Sequence, residues 1–500
     1  MERARSKHMY DINKIFEVVL AFNGVSDRTM LLNIILTNMM EITSSDAGTL
    51  YIIDDNKLHF RIIQNKSLGI FQSSESNDIN LPPIILDRNN IQNISAYCAI
   101  NNEIVIIDDV YEENSRFNFS GPKSYDRMTG YRTRGMLVLP IFTERGVDEE
   151  VLGVIQLINP VDPVTGEPTY YGNIYDPPIV PALTKIAANT LSNLTHVNEL
   201  RMFLKAFATV MTQAIDERSP YNSNHSQNVA IYCERFARHL SSKFPKEHPL
   251  HFGKTHIEAL TLAALLHDIG KIIIPLSIMD KASRLGDKLD IIRYRFELKK
   301  CQMELDMMHK RISLEDYERD IVKVVETQAF VEYVNSLGFL QDEQYQEVLA
   351  LENLTYINPA GQDVPLLDSD DMEALSIRKG TLTGYERDIM QQHVTITARL
   401  LSEIPFWKYY GDVPAWARHH HEFLDGSGYP EGIIGDRIPI EARIIAIMDI
   451  FDALIAQDRP YKKGMPIDKS LGILAEMASE NKLDKELVDI FIESKLWEGI

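Results

Sequence analysis

An apolar segment that ends abruptly in polar and charged residues constrains most strongly what this chain can fold into. Leu265 and Leu266 are followed directly by His267, Asp268 and, after Ile269-Gly270, by Lys271. Packing in a hydrophobic core gives no reason for this change, whereas adjacent imidazole and carboxylate groups at a helix end can both reach one cation. An HD pair alone is common by chance, so a metal site needs further ligands elsewhere in the chain.

Three single residues are candidates for such ligands. His225 follows Ser219-Pro220 near the start of a predicted helix, and His393 lies on the amphipathic segment YERDIMQQHVTITARLL. Either histidine alone would fit a capping or a partly buried packing position. Asp449 stands inside a strongly apolar predicted helix, where a lone buried carboxylate is costly unless it is paired or binds a metal.

A run of three histidines, His419, His420 and His421, is the strongest further signal, and it precedes the turn sequence DGSGYP from Asp425 to Pro430. Packing does not account for such a run. Its internal position also excludes a purification tag. The run therefore adds at least two candidate imidazole ligands to the HD pair.

The complete pattern H…HDIGK…H…HHExxDGxGYP…D, followed by DRPYK, resembles the HD-GYP family of cyclic di-GMP phosphodiesterases. The resemblance covers about Phe207 to Glu493, apart from an inserted segment. It implies an all-α, HD-type metal phosphohydrolase domain that hydrolyses cyclic di-GMP to pGpG, with onward cleavage to GMP as a less favoured step. A hydrolase of hybrid cyclic GMP-AMP and a non-catalytic cyclic-dinucleotide receptor acting through protein partners remain alternatives.

The resemblance also implies two divalent metal ions per chain, bridged by the catalytic Asp268. The ligands of the first metal are then His225, His267, Asp268 and Asp449, and those of the second are Asp268, His393, His420 and His421. Neutral imidazoles with few carboxylates suit iron or manganese, although zinc and nickel remain open. Two such ions about 3.5 to 4 Å apart can activate a bridging hydroxide for in-line attack on a phosphodiester.

Substrate contacts are implied by the same resemblance. Lys271 matches the family lysine that contacts the scissile phosphate and offsets charge in the transition state, with a cation that favours a helix C-terminus as the alternative. Arg459 and Lys462 match positions that contact the nucleotide, with a solvated basic loop as the alternative. Tyr429 is assigned to recognition. We expect Glu422 to orient a ligand histidine.

Two departures from the family pattern bear on the site. Tyr221 occupies the position at which some members have a glutamate that brings a third metal, so we expect a dinuclear site; Glu217, one turn further back, keeps the third metal open. About ninety residues, from about Arg284 to Ile377, are inserted between Lys271 and His393. The pattern of the inserted segment predicts two or three surface helices. These helices could cap the site, hold a partner or form a dimer interface.

The first 177 residues have the pattern of an α+β module. A helix (LLNIILTNMMEI), a hairpin turning at Asp54 to Asn56, and two late strands (GMLVLPIF and EVLGVIQLIN) predict an antiparallel sheet with helices on one face. This order resembles a GAF sensor domain, which implies an unknown small ligand. Asn159-Pro160 and Ile174 depart from the constellation of cyclic-nucleotide-binding members, so dimerisation is an equal alternative.

Residues 178–218 predict one long helix between this sensor and the HD-GYP domain at 219–500, because apolar residues recur there close to a 3.6-residue period. A helix in this position favours a homodimer formed through the GAF-like domain and the helix itself. Packing of the helix on its own domain is the alternative.

Composition limits the other partners. The chain has 72 acidic and 51 basic residues and a formal net charge of -21, which argues against binding of long DNA or RNA. No apolar run of the length of a membrane span is present, and the start has no apolar signal segment, so a cytoplasmic protein is expected. Cys98, Cys233 and Cys301 form no CxxC pair and are interpreted as ordinary packing residues.

Overall fold

A computed structural model of the chain divides into two compact units, with the boundary between Phe203 and Leu204. The structure describes residues 16–18, 20–22, 25, 27–76, 79, 81–112, 116–145, 148–174, 179–218, 224–405, 410–456 and 464–498. Within these ranges, no helix combines the length and the apolar character that crossing a membrane requires.

The first unit is built on an antiparallel sheet. Its strands are β1 Ser45–Asp54, β2 Lys57–Asn65, β3 Ile70–Ser73, β4 Ile84–Ile85, β5 Val105–Ile107, β6 Met136–Arg145 and β7 Asp148–Pro160. They lie in the order β3-β2-β1-β7-β6-β5, and β4 pairs with β2. The predicted hairpin is present, because Asp55 and Asn56 both adopt positive φ between β1 and β2, as a tight two-residue turn requires.

Helices cover both faces of this sheet, so the expectation of helices on one face is wrong. The helices are α1 Arg28–Ile42, α2 Ile94–Asn101, α3 Ser120–Thr129, α4 Tyr171–Ile174 and α5 Ile179–Asp216. Successive strand residues point to opposite faces, so Leu50 joins the core under α1 and α5. Its neighbour Tyr51 joins a second core with α2. The predicted α+β class is confirmed.

A cavity of about 410 Å³ lies in the first unit, on the face of the sheet that carries α2. Aromatic side chains of Tyr51, Phe60, Tyr125 and Tyr131 contribute to its wall, and every described residue that lines it has an uncharged side chain. Gln156 presents polar atoms there, and its Oε1 accepts hydrogen bonds from Tyr51 (3.0 Å) and Ser95 (3.1 Å).

The second unit is helical, as predicted for an HD-type domain. The helices before the insertion are α6 His225–Lys243, α7 Lys254–Leu266 and α8 Leu276–Met279. Those in the insertion are α9 Lys288–Met308, α10 Leu314–Ser336, α11 Asp342–Leu349 and α12 Ser369–Leu375. Those after it are α13 Gly384–Ser402, α14 Val413–Arg418, α15 Ile440–Ile455, α16 Ile467–Ser479 and α17 Lys485–Ser494. The core of this domain includes fully buried Phe236, Ile445 and Phe491.

The insertion is a small folded body rather than two or three surface helices. Its four described helices and the hairpin β8 Thr355–Ile357 with β9 Asp363–Pro365 enclose a separate core. Arg284 is fully buried at its base. The guanidinium of Arg284 donates to the carbonyl oxygens of Val334 (2.8 Å) and Ile377 (3.1 Å), and thereby ties the entry of the insertion to its exit.

Candidate metal centre

Five helices of the second unit bring the seven predicted metal ligands together. His225 begins α6, His267 follows the last residue of α7, and His393 lies within α13. His420 and His421 follow α14, and Asp449 lies in α15. Ligand atoms within 4.8 Å of one another form three groups: His225, His267 and Asp449; His267, Asp268 and His420; His393, His420 and His421.

Three of the imidazoles are held in one fixed orientation. Each uses Nδ1 to bond a backbone carbonyl three residues earlier, at 2.7 Å in every case: His267 to Ala264, His393 to Met390 and His420 to Ala417. A carbonyl oxygen only accepts hydrogen bonds, so Nδ1 carries the proton and Nε2 carries a lone pair. All three Nε2 atoms are buried without a hydrogen-bond partner. A cation would satisfy these lone pairs, so the residues present fit a metal site.

Asp268 lies between the two outer groups. Its Oδ1 is 3.3 Å from Nε2 of His393, and its Oδ2 is 3.3 Å from Nε2 of His267 and 3.9 Å from Nε2 of His225. The two oxygens therefore face different sets of imidazoles. Burial raises the pKa of Asp268, but the nearby Lys271 ammonium and the imidazoles outweigh burial and hold the pKa well below its usual range.

His225 is positioned by two carboxylates of α15. Its Nε2 is 3.0 Å from Oδ1 of Asp449, and its Nδ1 is 2.7 Å from Oδ2 of Asp452. Asn228 donates to the other oxygen of Asp452 at 3.1 Å. Sequence reasoning missed Asp452, which is buried and stands one helical turn after Asp449. This spacing places the two acids on the same face of the helix and could have identified Asp452.

The remaining imidazole, His421, lies against Tyr429, with ring centroids 4.8 Å apart. Its Nδ1 is 3.8 Å from Oδ2 of Asp449. Burial lowers the pKa of His421 to about 3 and holds the pKa of His420 well below its usual range. Both imidazoles are therefore neutral at pH 7, which is the form that binds metals.

One further buried acid adjoins the site. Asp216 at the end of α5 is buried and its Oδ2 has no hydrogen-bond partner. Burial raises its pKa to about 6, against the opposing charge of His225. Glu217, the residue considered from the sequence, is exposed instead. Tyr221, the other position weighed for a third metal, lies outside the described residues.

Lys271 lies on the 3₁₀ segment Ile269–Ile273 and donates a hydrogen bond to Oδ2 of Asp268. The preceding Gly270 explains how this segment approaches α13. A Cβ atom at Gly270 would collide with the backbone of His393 and Thr397. Thr397 joins the two segments further, because its hydroxyl accepts from Gly270 N (2.9 Å) and donates to His267 O (3.0 Å).

The expectation that Glu422 orients a ligand histidine is wrong. Its buried carboxylate instead accepts hydrogen bonds from the backbone N–H groups of Glu431 (2.7 Å), Gly432 (3.2 Å) and Ile433 (3.0 Å). Glu422 therefore fixes the loop that follows Tyr429. The two other predicted substrate contacts, Arg459 and Lys462, lie outside the described residues.

The three cysteines do not behave alike. Cys98 and Cys233 are buried, as expected for packing residues. Cys301 is exposed, so its interpretation as a packing residue is wrong. It lies on α9, far along the sequence from the candidate ligands.

Comparison with known proteins identifies the domains. Residues 27–168 match the GAF domain family, and residues 222–316 and 370–487 match HD domain families. The part between the two HD matches lies inside the insertion. HD domain phosphohydrolases bind divalent metal ions, and the buried histidine and aspartate groups of this chain agree with that property.

Two curated relatives are similar to parts of this chain. A cyclic di-GMP phosphodiesterase response regulator of Xanthomonas campestris pv. campestris is 35% identical over 34% of this chain and 43% of its own length. The 3'3'-cGAMP-specific phosphodiesterase 3 of Vibrio cholerae is 24% identical over 68% of this chain and 54% of its own length. The chain thus spans about half the length of these relatives.

A crystal structure of a cyclic GMP-AMP-specific phosphodiesterase of V. cholerae shares 15% identity with this chain, with a TM-score of 0.29, and covers 58% of this chain and 48% of the other. The domain matches, the relatives and the complete ligand pattern agree. The chain carries a GAF domain before its HD domain matches, and these matches with the similar relatives support its resemblance to the HD-GYP family.

Proposed function

We propose that this protein is a metal-dependent phosphodiesterase that hydrolyses cyclic di-GMP to pGpG under the control of its GAF domain. The orientation of three buried imidazoles, with unpartnered Nε2 atoms directed toward one cluster that includes Asp268, supports this proposal most strongly. The names of relatives from Xanthomonas and Vibrio, which describe cyclic-dinucleotide phosphodiesterases, support the substrate class. Onward cleavage to GMP is a less favoured second step.

Two divalent ions, iron or manganese, are proposed as cofactors. His225, His267 and Asp449 would hold one ion, and His393, His420 and His421 would hold the other. Asp268 would bridge them, which its two oxygens support by facing different imidazoles at 3.3 Å. When bound, such ions supply a water of lowered pKa and stabilise the negative charge that develops on the phosphate.

The chain's own residues would complete the reaction. The Lys271 ammonium adjoins the proposed bridging carboxylate, where it would offset charge on the scissile phosphate. The ring of Tyr429 lies against His421 and would bound the substrate side of the site. Arg459 and Lys462, which lie outside the described residues, are proposed to contact the guanine or phosphate groups.

Hydrolysis of hybrid cyclic GMP-AMP is the second candidate, favoured by the name of the Vibrio relative. The two substrates differ in one base, so a few contacts in the pocket would separate them. A receptor without catalysis is less well supported. Such a protein has no need of seven converging candidate ligands.

A small ligand of the GAF domain is proposed as the regulator. Among the described residues, the uncharged lining of the cavity in the first unit offers no cation to pair with a phosphate, so the cavity favours an uncharged, partly aromatic compound over a cyclic nucleotide. A homodimer through the GAF domain and α5 is also proposed. Exposed Val197, Leu200 and Val210 of α5 support this pairing. The cytoplasmic location stays a prediction.

Product chromatography tests the proposed activity. Protein purified without oxygen and resupplied with iron or manganese is incubated with cyclic di-GMP, with hybrid cyclic GMP-AMP in a parallel reaction, and its metal content is measured by mass spectrometry. We expect pGpG with about two metals per chain. Asp268→Asn should lose pGpG formation and bound metal, whereas Asp425→Asn on the exposed turn should keep pGpG formation and bound metal. A filled site without product from either substrate would contradict the proposal.

A further inference from the structure

Helix α9 of the insertion has apolar residues on two opposite faces. Ile292 and Phe296 on the inner face are 1% exposed and belong to the core of the insertion. The outer face carries a second set, named here the outer stripe: Ile291, Tyr294, Leu298, Cys301, Leu305 and Met308. The five apart from Cys301 are between 39% and 71% exposed, and Cys301 is exposed as well. A helix that is apolar on both faces is normally covered on both.

The spacing of the outer stripe indicates what covers it. Its members are separated alternately by three and four residues over the whole helix. This is the a/d repeat of a coiled coil, with Ile291, Leu298 and Leu305 at a positions and the other three at d positions. Such a seam packs against another helix with the same repeat, so its partner is a helix rather than a flat surface.

We propose that α9 pairs in parallel with α9 of a second copy of this chain. The residues that flank the seam favour this arrangement. One flank, at the g positions, is acidic: Asp290, Glu297 and Glu304. The other flank, at the e positions, has no acid: Arg295 bonds Asp371 and Gln302 bonds the backbone of Ile357 within the insertion, and His309 follows the last residue of α9.

The direction of pairing follows from these flanks. Parallel self-pairing places the g residues of one copy beside the e residues of the other, so the three acids of one copy do not face those of the other. Antiparallel pairing would place three acids opposite three acids, which is repulsive. The charges therefore select the parallel arrangement.

The insertion removes the usual objection to a short coiled coil. An isolated helix of this length is marginal in water because the helix must form as it pairs. Here α9 is already held by Phe296 in the core and by Arg295, which donates to Asp371 at 2.7 Å. Pairing thus costs no helix formation, and the buried area of the stripe is available to drive association.

Cys301 provides a direct test of this geometry. Parallel pairing places equivalent d residues side by side, at a Cα separation that a disulfide can bridge. The two other cysteines of the chain, Cys98 and Cys233, are buried. Dioxygen with a copper catalyst oxidises two adjacent thiols to one disulfide and takes up their two electrons and two protons. The unmodified protein can therefore report on its own pairing.

The experiment compares cross-linking rates in the full-length protein at micromolar concentration. The cysteines tested are native Cys301, Tyr294→Cys in a Cys301→Ser background, and the exposed control Val164→Cys in the same background. We expect covalent dimers at Cys301 and at Tyr294→Cys at least about tenfold faster than at the control, because paired thiols meet at high effective concentration. Antiparallel pairing would place residue 294 opposite residue 305 and give no fast product at Tyr294→Cys.

Charge variants distinguish the seam from a nearby contact. Leu298→Glu with Leu305→Glu should abolish fast cross-linking at Cys301, whereas Leu349→Glu on exposed α11 of the same insertion should leave the rate unchanged. Dimerisation elsewhere in the chain does not imitate this result, because the readout is local to α9. Cross-linking at the control rate for Cys301 or for Tyr294→Cys would overturn the proposal, as would fast cross-linking that survives both seam substitutions.

Discussion

The Nε2 atom of His225 lies 3.0 Å from Oδ1 of Asp449. This nitrogen is the atom that would bind a metal. The opposite nitrogen is 2.7 Å from Asp452. Burial lowers the pKa of His225, but hydrogen bonds to both carboxylates outweigh burial and raise the pKa to about 10. Without a metal, this imidazole is therefore protonated at neutral pH.

Metal binding should consequently release a proton. A coordinating imidazole must be unprotonated at its ligand atom, and the folded-state pKa of His225 lies above 7, so raising the pH removes the competing proton. We expect Mn²⁺ affinity to increase from pH 6 to pH 9, with release of about one proton at His225. Calorimetric titration in buffers of different ionisation enthalpy measures both quantities. An affinity that is independent of pH would contradict this prediction.

Asp452 should control metal affinity without being a ligand. Its carboxylate fixes the ring of His225 and is itself fixed by Asn228. Loss of such a supporting group weakens metal binding by about 10 to 100-fold, so we expect Asp452→Asn to do so in competition assays with a chelator. Asp489→Asn, which removes an exposed carboxylate paired with Lys485, is the matched control and should bind metal normally. Equal affinities of the two variants would count against the supporting role.

The candidate site was largely predictable from the sequence because its chemistry differs from that of a core. A histidine run and an acid within an apolar helix have no packing explanation, and the family resemblance that they help to carry implied a set of seven ligands, which converge in the structure. Asp452 and Asp216 escaped because a single acid near a helix end has many ordinary roles. Glu422 was misjudged because its partners are backbone groups of residues 431–433, which carry no sequence signal.

In the fold as well, features set by neighbouring residues were predictable from the sequence, and contacts between distant residues were not. Asp55-Asn56 identified the hairpin through local turn chemistry. The separate core of the insertion was missed because α9 is apolar on both faces, which obscures the one-sided periodicity expected of a helix on a core. The covering of both sheet faces was missed for a different reason, because the helix α2 that packs beside Tyr51 is far from that residue in the sequence.

Glu422 should contribute to stability rather than to metal binding. In Glu422→Gln, an amide replaces a carboxylate that accepts three backbone hydrogen bonds, and the amide NH₂ would face backbone N–H groups. We expect the free energy of unfolding to fall by about 1 to 3 kcal/mol, measured with urea on metal-saturated protein. Glu431→Gln in the same loop changes a partly exposed carboxylate that pairs with Arg418 and lies 3.8 Å from Nε2 of His419, and it should cost less than about 1 kcal/mol. A loss of metal affinity without a loss of stability would restore the orienting role.

Gly270 should be required for packing of the HD segment against α13. A methyl group there would meet the backbone of His393 and Thr397, and backbone atoms cannot rotate away as a side chain does. Gly270→Ala should therefore lower the free energy of unfolding by about 1 to 3 kcal/mol or more and, because the displaced helix carries His393, lower the metal content as well.

The matched control is Gly472→Ala in the exposed part of α16, where an added Cβ meets no atom within 4 Å. Alanine there should stabilise the protein by about 0.5 to 1 kcal/mol. Both quantities follow from urea unfolding and metal analysis of the two variants, and a Gly270→Ala protein as stable and as metal-rich as Gly472→Ala would show that the two segments need not approach so closely.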